Sequence, residues 1–221
     1  KEFDWEGYRH KYGKVERLDR ILEAEGDTPN RYKVSKQADV LMLFYLLSSD
    51  ELRELFERLG YPFDPEMIPK NIDYYLRRTS NGSTLSRVVQ SWVLARSKRE
   101  LSWHLFKEAL HSDVEDIQGG TTPEGIHLGA MAGTVDLIQR CYTGIETRGD
   151  VLYFNPFLPD ELKEVHFDIL YRQHLLNVSI TASRLKLTTR PFDAPSIKIG
   201  LRDELFEMGP GETREFDLAR E

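Results

Sequence analysis

Three polar segments each lead into an apolar stretch, and each carries groups able to bind a sugar or an oxyanion. In residues 32–39 (YKVSKQAD), Lys36 and Gln37 stand side by side where a strongly apolar stretch begins. There an ammonium and an amide offer several N–H donors to sugar hydroxyls on a pocket floor. A plain polar helix entrance is the other reading of the same pair. In residues 78–87 (RTSNGSTLSR), a Ser/Thr/Asn/Gly loop runs directly into a helix. A helix N-terminus presents unpaired N–H groups and the positive end of its dipole, so Gly82, Ser83 and Thr84 are candidates to cradle phosphate. Ser83 as an N-cap and nothing more is the competing reading. Residues 80–99 contain neither Asp nor Glu, which suits an anion pocket because a nearby carboxylate would repel phosphate.

The third segment, residues 119–133 (GGTTPEGIHLGAMAG), reads as another polar loop feeding a helix. His127 lies near its start, and Gly129, Ala130, Ala132 and Gly133 follow on the helix. Each helical glycine costs up to about 1 kcal/mol in propensity, so close approach of another group must compensate. His127 reads either as part of a second anion nest or as a hydrogen-bonded core histidine. Other chemistries lack their markers. None of the six histidines falls in an HExxH motif or a Cys/His cluster, so no metal site is expected. There is no GxSxG elbow, glycine-rich dinucleotide loop or P-loop.

These segments need a scaffold to position them. With 40% hydrophobic and 30% charged residues, the 221-residue composition is that of an ordinary globular protein. The net charge of −7 and the scattered Lys and Arg argue against nucleic-acid binding, and no apolar run is long enough to span a bilayer. One cysteine, Cys141, excludes an internal disulfide, and the lack of a secretory signal leads to a cytoplasmic assignment. A first residue other than Met, Lys1, leads to the expectation of a portion of a longer protein.

From about Val34 to Tyr142, apolar residues recur at three- and four-residue spacing, which predicts successive amphipathic helices. They are expected at 36–47, 50–59, 69–76, 84–95, 100–111 and 126–142. The helix at 36–47 (KQADVLMLFYLL) is apolar on nearly all sides and is expected to be buried between others. Gly60 is expected to close the second helix. The connecting loops at 61–66, 79–83 and 113–125 are where function usually sits on such a scaffold. Beyond Gly144 the period changes to two, as in Leu176, Val178 and Ile180 alternating with Asn177, Ser179 and Thr181. Short strands are expected at 151–154, 165–171, 176–181, 184–187, 196–201 and 213–218, forming a small antiparallel sandwich or jelly-roll-like domain.

The segments YKVSKQADVLML, NIDYYLRRTSNGSTLS, TTPEGIHLGAMAGTVDLIQ and LYFNPFLPDEL, in this order and spacing, resemble glycoside hydrolase family 65, which includes maltose, trehalose and kojibiose phosphorylases. The resemblance is collinear over most of the chain. It implies a mainly α chain with a β domain: the C-terminal part of an (α/α)6 barrel at residues 1–145, then a β-sheet domain at 146–221. It implies inverting phosphorolysis of an α-glucosidic bond to β-glucose 1-phosphate, with inorganic phosphate as co-substrate and no cofactor. In family terms Lys36 and Gln37 fall on the residues that hold the nonreducing-end glucosyl unit, and Ser83, Thr84 and His127 on the phosphate site, to which the loop reading above adds Gly82.

Many relatives carry two adjacent serines where this chain has Ser83 and Thr84, which keeps both hydroxyls and adds a methyl. The general-acid glutamate, and the tryptophan and aspartate that complete the glucosyl site, belong to segments N-terminal to this chain, so the isolated chain is expected to be inactive and no catalytic residue is assigned within it. Glu124, the acid near His127 in sequence, also falls on a family position and is not assigned as a hydrolytic base. The expected partners are a disaccharide and phosphate, with a homodimer of the parent protein as a further expectation. Two other readings stand beside this one: a family 65 hydrolase using water activated by a carboxylate, and a non-catalytic carbohydrate-binding scaffold.

Overall fold

The computed structural model describes residues 1–117, 120, 123, 125–191 and 193–218. The chain divides into two compact units, Lys1–Thr134 and Val135–Glu221. The first is helical, with α1 Trp5–Tyr12, α2 Leu18–Ala24, α3 Met42–Leu46, α4 Ser49–Leu59, α5 Met67–Leu76, α6 Thr84–Leu94, α7 Arg99–His111 and α8 Leu128–Asp136. α4 starts for a local reason. The Ser48 side chain accepts from the Glu51 N–H while the Glu51 carboxylate accepts from the Ser48 N–H, and Gly60 closes the helix at φ 75°.

α6 is the central helix of this unit. Val88 and Val89 are fully buried, and Val89 packs with Ala38 and Leu41 against the partly buried Met42, Phe44 and Tyr45 of α3. On its other side α6 is locked to α7 by a reciprocal pair: the Ser91 hydroxyl donates to the Ser102 carbonyl at 2.8 Å, and the Ser102 hydroxyl to the Ser91 carbonyl at 2.7 Å. A smaller core of Phe3, Leu18 and Leu22 anchors α1 and α2, with Trp5, Tyr8, Tyr32 and Val34 packed on it.

Three helical expectations change. α1 and α2 were not foreseen; α1 is short and buries no residue fully, and Trp5 and Tyr8, which pack on the small core, are too few to set a period. The helix expected at 36–47 shrinks to Met42–Leu46, and it is not enclosed on all sides, since Leu43 is 46% and Leu46 64% exposed. The reason lies in residues 35–38, whose backbone is bonded to the segment 78–86 and is therefore drawn out of the helix. The helix expected at 126–142 is α8 followed by a π-helical turn, Leu137–Tyr142.

The second unit contains two four-stranded sheets, ordered β1-β2-β6-β7 and β3-β4-β5-β8. The strands are β1 Glu146–Arg148, β2 Val151–Phe154, β3 Glu164–Tyr171, β4 His174–Thr181, β5 Arg184–Thr189, β6 Ile197–Leu201, β7 Glu204–Met208 and β8 Thr213–Asp217. All neighbours are antiparallel except β2 and β6, which run parallel. In β4 the side chains of Leu176, Val178 and Ile180 are fully buried while Asn177 is exposed, the alternation of a strand with one core face. The rings of Phe206 in β7 and Phe216 in β8, 4.9 Å apart, join the two sheets.

Candidate functional site

The first two polar segments are hydrogen-bonded to each other along their length. Ser35 and Thr79 form a parallel bridge. The Ser35 N–H donates to the Arg78 carbonyl at 2.7 Å, the Ser80 N–H to the Ser35 carbonyl at 2.8 Å, and the Gly82 N–H to the Lys36 carbonyl at 2.9 Å. The Ala38 N–H then reaches the Ser86 hydroxyl at 3.3 Å. Residues 35–38 therefore run as a strand-like strip beside the loop that feeds α6, which sets Lys36 against Gly82.

Gly82 is required by space. Its backbone conformation is one any residue can adopt, but an added Cβ would lie 2.8 Å from the Glu16 carbonyl oxygen and 3.1 Å from Lys36 Cγ. The next residue, Ser83, occupies the N-cap position of α6 with extended backbone (φ −133°, ψ 139°), yet its side chain makes no capping hydrogen bond. Its hydroxyl is not used as a cap usually is. Thr84 opens the helix and is buried, and the first turn carries no acidic residue. The loop is braced from behind: the Asn81 side-chain oxygen accepts from Gln90 at 2.7 Å, and Arg87, 5% exposed, binds Glu108 at 2.8 Å and Glu16 at 3.5 Å.

Lys36 and Gln37 are both exposed. The Lys36 ammonium donates to Asp19 at 2.9 Å, an ion pair that the residue spacing does not reveal.

His127 stands just before α8. Its ring Nδ1 is 2.7 Å from Asp113 Oδ1, and its backbone N–H donates to Asp113 Oδ2 at 2.8 Å. With the carboxylate as acceptor, Nδ1 carries the proton. Asp113 is 6% exposed on its side chain, so one buried residue fixes both the ring and the start of the helix. Sequence reasoning weighed Glu124 as the acid near His127 and missed Asp113, fourteen positions upstream; no spacing rule connects the two. Glu124, with Gly119, Thr121 and Thr122 of the same segment, lies outside the described residues.

One of the small residues of α8, Gly133, has a close partner. A Cβ on Gly133 would meet Val88 Cγ1 at 2.6 Å, so α8 lies close on α6 one turn beyond Thr84. Gly129 faces open space. The structure thus joins Lys36 to Gly82, the residue before Ser83 and Thr84, and relates His127 to α6 through the packing of Gly133 on Val88. Among the described residues no group of three or more His, Cys, Asp or Glu could hold a metal ion, and no helix is long and apolar enough to cross a membrane.

Comparison with known proteins is consistent along the chain. Residues 1–136 match the glycosyl hydrolase family 65 central catalytic domain, and residues 145–208 match the family 65 C-terminal domain. An uncharacterized glycosyl hydrolase of Mycobacterium tuberculosis (strain ATCC 25618 / H37Rv) is 52% identical over 99% of this chain, which covers 16% of that protein. The trehalose 6-phosphate phosphorylase of Lactococcus lactis subsp. lactis is 34% identical over 99% of the chain and 28% of its own length. The maltose phosphorylase of Bacillus subtilis is 32% identical over 68% of the chain and 18% of its own length. The chain therefore spans less than a third of these relatives. A solved structure described as a kojibiose phosphorylase from the human microbiome shares the fold, with a TM-score of 0.68 and 24% identity over 86% of this chain and 26% of that one.

Proposed function

Because the chain belongs to glycoside hydrolase family 65, we propose that it is the C-terminal part of the catalytic barrel, residues 1–145, and the following β domain, 146–221, of an inverting disaccharide phosphorylase. The stretch left between the two family matches, 137–144, supports a division close to that boundary. Lys36 and Gln37 receive the glucosyl unit, and Gly82, Ser83, Thr84 and His127 receive phosphate. One phosphate oxygen forms a bond to the anomeric carbon as the glucosidic C–O bond breaks on the opposite face. The leaving oxygen takes its proton from an acid supplied by a preceding segment, so phosphate takes the place of the water of an inverting hydrolase.

The observation that carries this reading is the hydrogen-bonded strip 35–38 beside 78–86. It places a lysine against a helix N-terminus whose N-cap hydroxyl is uncommitted to capping and whose first turn has no carboxylate. Orphan N–H groups and the helix dipole there favour a phosphate dianion. Among substrates, the match to a trehalose 6-phosphate phosphorylase over 99% of the chain, against 68% for a maltose phosphorylase, favours a phosphorylated disaccharide as the first to be tried.

The test is glucosyl release from trehalose 6-phosphate, trehalose, maltose and kojibiose by the full-length parent protein, with and without inorganic phosphate. Phosphate-dependent β-glucose 1-phosphate is expected. Free glucose released at the same rate without phosphate would establish the hydrolase instead, and silence of a folded protein on all four sugars would favour the scaffold. The isolated 221-residue chain is expected to release neither product.

A further inference from the structure

We propose that Asp19 is a positioning residue for Lys36, holding its ammonium where it meets the glucosyl hydroxyls; this rests on Lys36 being a glucosyl residue. Lys36 is fixed at three points. Its carbonyl accepts from Gly82, its Cγ packs where a Gly82 side chain would lie, and its ammonium donates to Asp19 Oδ2 at 2.9 Å. A lysine tip on a four-carbon stem otherwise samples many rotamers, and each must be given up when a ligand binds. One of its three N–H donors goes to Asp19, leaving two that can face a sugar.

Asp19 is itself well anchored. It sits in the first turn of α2, between Leu18, 2% exposed, and Leu22, which is fully buried. Burial raises the Asp19 pKa, but the Lys36 ammonium, the Arg20 N–H and Arg17 outweigh it, so the carboxyl lies below its usual range and is ionised. The same turn braces the phosphate side: the Glu16 carbonyl abuts Gly82 and accepts from the Ser80 hydroxyl at 3.4 Å. The turn 16–19 lies outside the segments that carry the family resemblance, and it touches both halves of the site. The pair is half exposed (side chains 49% and 33%), and exposed ion pairs add little stability, so its value is geometric.

The experiment compares Asp19→Asn, Asp19→Glu, Lys36→Ala and the double variant Asp19→Asn/Lys36→Ala in the full-length protein, using the disaccharide it cleaves. If the parent proves hydrolytic, the same variants are read on hydrolysis, because Lys36 serves the glucosyl unit in either reaction. Asp19→Asn is expected to lower kcat/KM for the disaccharide about tenfold, with Tm and phosphate KM unchanged, and Asp19→Glu to recover part of the loss. Added to Lys36→Ala, Asp19→Asn should change kcat/KM by less than about twofold, since the two act as a unit. Independent multiplication of the two losses, an equal rise in phosphate KM, or no effect of Asp19→Asn beside a damaging Lys36→Ala would each overturn the proposal. A silent Lys36→Ala would instead overturn the role of Lys36 and the proposal with it.

Discussion

Gly82→Ala probes the joint between the two binding segments more directly than any other substitution. The added Cβ would stand 2.8 Å from the Glu16 carbonyl oxygen, a backbone atom, and 3.1 Å from Lys36 Cγ. The first contact is roughly 0.6 Å inside ordinary packing distance, and a dense interior has little slack to absorb it. Either the turn 16–19 or the loop 80–84 must move. Overpacking of this kind costs about 1–3 kcal/mol, and loss of glycine's unfolded-state freedom returns about 0.4–1 kcal/mol of that. A net destabilisation of about 1–2 kcal/mol is expected. The functional effect is expected to be larger, because displacing the α6 N-terminus by a fraction of an ångström misplaces the phosphate donors, and an error near 1 Å costs about a hundredfold. Phosphate-dependent kcat/KM of the full-length protein should fall roughly 10–100-fold, with the loss expressed in phosphate KM as well as kcat. Gly129→Ala is the matched control: its Cβ meets nothing within 4 Å, and it should leave activity intact while stabilising α8 by up to about 1 kcal/mol. A Gly82→Ala protein with the parental phosphate KM and Tm would refute the argument from close approach.

Two further outcomes are expected. Asp113→Asn puts an NH2 group where either the ring Nδ1–H or the backbone N–H of His127 needs an acceptor; it should lower Tm through a loss of about 1–3 kcal/mol and reduce kcat/KM for phosphate at least about tenfold. Unchanged phosphate kinetics in a stably folded variant would show that His127 does not serve the anion. Glu25 accepts from Lys11, Tyr12 and Tyr8, which together lower its pKa from 4.5 to about 2. A carboxyl with a depressed native pKa contributes stability that is complete above the unfolded value, near 4.5, and is lost as pH falls toward 2. Glu25→Gln should therefore flatten the acid limb of the unfolding profile between those limits, measured by circular dichroism, and leave it unaltered only if the cluster contributes nothing.

Much of this protein was readable from one-dimensional periodicity. The helices α4 to α7 show in the sequence because apolar residues recur along them at three- and four-residue spacing, and the strands of the second unit show wherever residues alternate, as in β4. The candidate phosphate loop was marked in the sequence by Gly82, Ser83 and Thr84 ahead of a stretch, 80–99, without Asp or Glu; a plain N-cap shares the first of these signals but does not require the second. Strands β1 and β7 were not foreseen. β1 is the polar run Glu-Thr-Arg with no buried residue, and β7 follows a turn in which Arg202 takes φ 55° without the glycine that would have signalled it. The β3–β4 hairpin likewise turns on Arg172 and Gln173 at φ 44° and 70°.

What the chain order alone determined, then, was the type of each long element and the residue chemistry at the loop entrances, because both follow from local spacing. Tertiary structure decided which loops meet. Residues 36–38 are the polar first turn of the helix expected at 36–47, yet the N–H and C=O groups of 35–38 find partners in residues 78–86, and a backbone already bonded across the chain cannot also complete a helical turn. That competition shortens α3 and sets Lys36 beside Gly82; the pairings of Asp19 with Lys36 and of Asp113 with His127 likewise join residues separated by fourteen or more positions. No pattern of neighbouring residues encodes such pairings; they arise from the packing of α2, α6, α7 and α8.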